Sequence, residues 1–110
     1  MLAAAIAYSG GTDAAAGNSF EGGNGLYGVC STPQLGEQGY CLGYVVGTLD
    51  TLFDAQEKGT MPQLVCVPGN VSGNQVRDVV VNYLAGHPEQ RHFAASSLVL
   101  RALSMAFPCK

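Results

Sequence analysis

The chain has 110 residues, four cysteines and a formal net charge of −3, with five basic residues against eight acidic ones. This length holds one domain, with a core modest enough for staples to matter, and so little positive charge argues against nucleic acid as a partner. No apolar run reaches the ~18 residues that a membrane-spanning helix needs.

Residues 1–23 are rich in Gly, Ala, Ser and Asn and read as a flexible N-terminal segment that adds little to a core. Their start, MLAAAIAYSGG, has the small apolar character of the end of a signal peptide, and Ala5-Ile6-Ala7 fits the A-x-A pattern before a cleavage site. A disordered alanine-rich tail accounts for it equally well. The folded domain is expected over 24–110.

A short first helix is expected over 24–30, capped by Asn24, with Leu26 and Tyr27 as its apolar contacts and Gly25 and Gly28 weakening it. Ser31 to Gln38, holding Pro33 and Gly36, reads as a loop. The second helix, from about Gln38 to Lys58, carries Leu42, Val45, Val46, Leu49, Leu52 and Phe53 at helical spacing. Gly59 follows in the position of a left-handed stop. Gly39, Gly43 and Gly47 recur every four residues within it. Each costs ~1 kcal/mol relative to alanine, so the stripe predicts the close approach of another backbone or a bulky ring.

Residues 59–71 form a loop broken by Pro62, Pro68 and Gly69. Ser72 and Gln75 then make a capping box, with Val71 and Val76 placed as a hydrophobic staple. Val76, Val79, Val80, Tyr83 and Leu84 give the third helix its apolar face, and Gly86 and Pro88 end it. A last helix covers about Ala95 to Phe107, with Leu98, Val99, Ala102, Leu103, Ala106 and Phe107 on a broad apolar side. Nothing alternates with period two for long enough to build a sheet. The reading is an all-α, small four-helix domain stapled by disulfides.

Four cysteines without a C-x-x-C pair favour two disulfides over a zinc site. Disulfides persist in oxidising compartments, which places the protein in a periplasm or outside the cell. Antiparallel third and fourth helices bring the start of one beside the end of the other, where Cys66 and Cys109 fall. That favours Cys66–Cys109 and leaves Cys30–Cys41, while a crossed pairing stays open at this point.

Catalytic chemistry finds little support. His87 and His92 stand five apart with Glu89 between them, which lacks the i, i+4 geometry of two helical metal ligands. His87, before Pro88 at a helix end, reads as a carbonyl cap. No phosphate loop, triad or nucleotide fingerprint is present, so no catalytic residue, metal or cofactor is expected, and the protein is read as a non-enzyme. Asn70-Val71-Ser72 matches a glycosylation sequon, but Ser72 already has a capping role. Two binding surfaces stand out. Asp50, Asp54 and Glu57 form an acidic stripe on the second helix, either a solvated face or a complement to a basic rim on a partner. The loop with Thr60, Met61, Gln63 and Leu64 either enters a partner's cleft or simply crosses the domain.

Three stretches together resemble one family: GYCLGYVVGTLD (39–50), CVPGNVSGNQVRDVVVNYLAGHPE (66–89) and LVLRALSMAFPC (98–109). They look like the Rap/Tai immunity proteins that bacteria keep against their own type VI secretion effectors. The shared pattern is G-[YF]-C-x-G-Y-x-x-G, a C-x-P loop, Q-x-x-x-V-V-x-x-Y-L-x-x-H-P and a terminal A-F-P-C, in order over about 24–109. The resemblance implies a small, helical, disulfide-bearing periplasmic protein, often dimeric, that binds and blocks a peptidoglycan-cleaving amidase. The glycine-rich lead-in and Gly73-Asn74 in the third helix's first turn depart from the pattern. Two other readings compete: an acid-stress chaperone of the HdeA-like kind, for which eight acidic residues are few, and an orphan envelope binding domain. Partner number separates the three.

Overall fold

The computed structural model describes residues 19–110. The signal-like A-x-A stretch and most of the expected flexible segment lie outside the described residues. Four helices follow in order: α1 Gly23–Cys30, α2 Leu35–Lys58, α3 Gly73–Gly86 and α4 Ala95–Ala106, with a 3-10 turn at Pro88–Gln90 before α4. Each helix packs against the other three. The fold is all-α, and the described residues contain one isolated antiparallel bridge, Gly22 to Ala94.

The core forms where the apolar faces meet. Leu26 from α1, Val45 from α2, Val80 and Leu84 from α3, and Val99 and Leu103 from α4 are fully buried. Burying side chains of this kind stabilises by roughly 1.5–3 kcal/mol each, the main favourable contribution to folding. Two disulfides close the frame: Cys30 with Cys41, 11 residues apart, and Cys66 with Cys109, 43 residues apart. They are the pairs that the antiparallel-hairpin geometry favours.

α3 starts on a complete capping box. The Ser72 hydroxyl accepts from the Gln75 N–H at 3.1 Å, and the Gln75 side chain accepts from the Ser72 N–H at 2.7 Å. Two orphan donors are satisfied reciprocally. Gly59 ends α2 with φ +80°, the left-handed conformation in which glycine is unstrained.

Three expectations are corrected. α1 is capped by Gly22 rather than Asn24, and by no side chain. Its first amides, Gly23 and Asn24, instead donate to the Phe93 and Arg91 carbonyls at 2.9 and 2.8 Å, and Ala95 N–H donates to the Glu21 carbonyl. A distant strand of backbone thus does the work of a cap, and the packed chain begins two to three residues before the expected boundary. α2 starts at Leu35 rather than Gln38. The first helical bond runs from Gln38 N–H to the Gln34 carbonyl, and the Gln38 side-chain amide donates to the carbonyls of Cys30 and Thr32, bracing the turn. Finally, nothing lies within 4 Å of where a Cβ would stand on Gly39, Gly43 or Gly47. These positions turn away from the buried Cys41, Val45 and Leu49. Close approach of another element occurs instead at Gly23, against Leu98 and Arg91, while Gly73 meets Val46 and Leu42 at ordinary contact distance.

Candidate partner-binding surface

The end of α2 is built around one buried polar residue that the sequence reading passed over. Gln56 continues the apolar series Val45, Leu49, Leu52 by helical spacing and is only 6% exposed. A buried amide needs partners for both its donor and its acceptor. The loop supplies them: Gln56 Nε2 donates to the Val65 carbonyl at 3.0 Å, and Oε1 accepts from the N–H groups of Leu64 and Val65 at 3.0 and 2.9 Å. Its main-chain carbonyl also accepts from Gln63 Nε2 at 2.9 Å.

The rest of the loop is tied at both ends. Thr60 and Met61 donate backbone N–H bonds to the Ala55 carbonyl, and the Thr60 hydroxyl donates there too. Val65 is buried, Cys66 N–H donates to the Phe107 carbonyl, and the Cys66–Cys109 disulfide fixes the exit. Met61 is half-buried, Gln63 is exposed, and Leu64 keeps 39% of its surface in solvent. The loop is therefore a held segment that shows an apolar side chain outward.

Asp50, Asp54 and Glu57 are all exposed on the outward side of α2. Asp54 pairs with Lys58 at 3.2 Å, one helical turn on. An exposed i, i+4 pair contributes only about 0.3–0.5 kcal/mol, so the stripe's role in stability is small. Asp54 and Glu57 lie in the last turns of α2 and Asp50 a turn further back, all three a quarter-turn or more around the helix from the buried Gln56 that holds the loop.

The two histidines and the four cysteines have structural occupations. His87 Nδ1 lies 2.8 Å from the Tyr83 carbonyl, its ring is stacked on Tyr83, and the Tyr83 hydroxyl donates to Gln90 at 2.6 Å. The His92 ring lies against Phe93, centroids 4.1 Å apart and tilted by 37°. All four cysteines are in disulfides, so none is available as a thiolate. Among the described residues no group of three His, Cys, Asp or Glu side chains is arranged to hold a metal, and no helix is long and apolar enough to cross a membrane. Tyr40 donates to the Glu21 carboxylate at 2.7 Å, and that bond, with some burial, holds its pKa above the ordinary phenol value. Burial does the same for Tyr44, against the lowering effect of bonds to Ser96 and Thr48. Shallow grooves flank α4 at Ser97, one along Thr51 and Leu52, the other along Phe93 and Arg101.

No curated protein and no solved structure matches the chain. A family model does, that of the Rap1a immunity proteins, over residues 22–109. This span opens on the N-cap of α1 and closes on the last cysteine of the second disulfide, so all four helices and the loop held by Gln56 fall inside it. On that match the chain belongs to the Rap1a immunity protein family.

Proposed function

We propose that the protein is a periplasmic immunity protein that binds and occludes a peptidoglycan amidase delivered by a type VI secretion system. The observation that carries the reading is the family match across the whole helical body. The two disulfides support it, because they suit an oxidising compartment such as the periplasm. Inhibition here is stoichiometric cover, with a stapled body laid over the partner's catalytic cleft. The surface that does this is the loop carrying Met61, Gln63 and Leu64, together with the exposed acidic stripe of Asp50, Asp54 and Glu57 on α2. Carboxylates at such a rim would speed encounter with a basic surface more than they tighten the complex.

The test is capture. The oxidised protein is immobilised, the secreted and periplasmic fraction of its own source is passed over it, and retained proteins are identified by mass spectrometry. One cell-wall amidase in stoichiometric amount is the expected result. Many unrelated proteins held only at acid pH would point to a chaperone, and an empty column would contradict the proposal.

A further inference from the structure

We infer that Gln56 is the positioning residue of the docking loop, which it sets before any partner arrives as an insert with Leu64 exposed and the carbonyls of Pro62, Gln63 and Leu64 free, shaped for a cleft with cationic or N–H donors around an apolar recess. The inference rests on the proposed function and names the chemistry of its contact. Gln56 is buried, and its side chain uses both the donor and the acceptor of its amide on Leu64 and Val65. Those two backbone amides are thereby spent inside the protein, and Cys66 N–H is spent on Phe107. Pro62 has no amide hydrogen to offer. Among the described residues no donor reaches the carbonyls of Pro62, Gln63 or Leu64, and between Pro62 and Cys66 one amide, the Gln63 N–H, is left without an acceptor. What this backbone shows to solvent is therefore mainly acceptors.

The arrangement bears on binding rate. A loop that must order on contact loses affinity to that ordering, and a preset one does not. The cross-link at Cys66 holds only the exit of the loop, while the Gln56 amide holds its middle.

Association and dissociation rates of Gln56→Leu, Leu64→Asp and the double variant are measured against the amidase captured by the wild-type protein. Amide exchange at Leu64 and Val65 is followed on the free proteins. Gln56→Leu is expected to expose both amides to exchange and to slow association by about 10-fold or more, with Leu64→Asp adding little beyond that in the double variant. Should Gln56→Leu fail to fold, Gln56→Glu decides: its carboxylate still accepts from both amides but repels the Val65 carbonyl, so association should slow further as pH rises through its titration. Wild-type rates in the Gln56 variants beside a crippled Leu64→Asp would overturn this inference alone. Wild-type binding by Leu64→Asp would remove the loop from the contact surface and overturn the inference along with that part of the proposed function, and failure to capture an amidase would overturn both.

Discussion

A Cβ added to Gly23 would stand 2.5 Å from Leu98 Cδ1, 2.7 Å from the Arg91 carbonyl oxygen and 2.9 Å from Arg91 Cα. Two of these neighbours are backbone and cannot swing aside. Gly23→Ala should therefore destabilise by about 1–3 kcal/mol, the usual range for overpacking, as read from urea unfolding. Gly43 and Gly47 are the opposite case, mid-helix and open to solvent, so alanine at either should stabilise by about 1 kcal/mol through helix propensity. A loss at Gly43→Ala would mean that something covers that face in solution. The tyrosines give a pH dependence. Tyr40 and Tyr44 hold their protons to higher pH in the folded than in the unfolded chain. The stability they contribute is complete below the ordinary phenol range near about pH 10 and is lost as pH rises through the raised folded values. Tyr40→Phe removes the Glu21 part of this, so its stability should fall less steeply in alkali than that of the wild type, by alkaline unfolding followed by circular dichroism.

Among the elements, the two disulfides differ in the loops they close. Under the chain-entropy model the 11-residue separation contributes about 3 kcal/mol and the 43-residue one about 4 kcal/mol. Against a typical domain stability of roughly 5–15 kcal/mol, either is a large share. Serine at both Cys66 and Cys109 should cost more than serine at both Cys30 and Cys41, and the reverse order in denaturant unfolding would contradict the account. The same elements show what sequence can and cannot reveal. α3 was legible because its signals are local, with Ser72 and Gln75 meeting within one turn. α1's cap was not, because its partners are carbonyls some 70 residues downstream in a glycine-rich setting without side-chain signature. The glycine stripe was visible, but spacing alone could not say whether it faced another helix or water. Gln56 left one trace, a polar residue where the Val45, Leu49, Leu52 series calls for an apolar one. Its meaning required the loop's backbone to be in view.

For the molecule as a whole, four mutually packed helices and two disulfides make a body in which the loop after α2 is held at several points. The Cys66–Cys109 bond and the Gln56 amide act on the same segment, one at its exit and one in its middle. Reduction should therefore weaken partner binding as well as stability, and oxidised and reduced protein compared in the same titration would reveal it. The most direct test of immunity by occlusion is a titration of the captured amidase, following release of peptidoglycan fragments as the oxidised protein is added. The account predicts that cleavage falls in proportion to added protein and is abolished once the amidase's binding sites are filled. An amidase that stays bound yet keeps cleaving would contradict it.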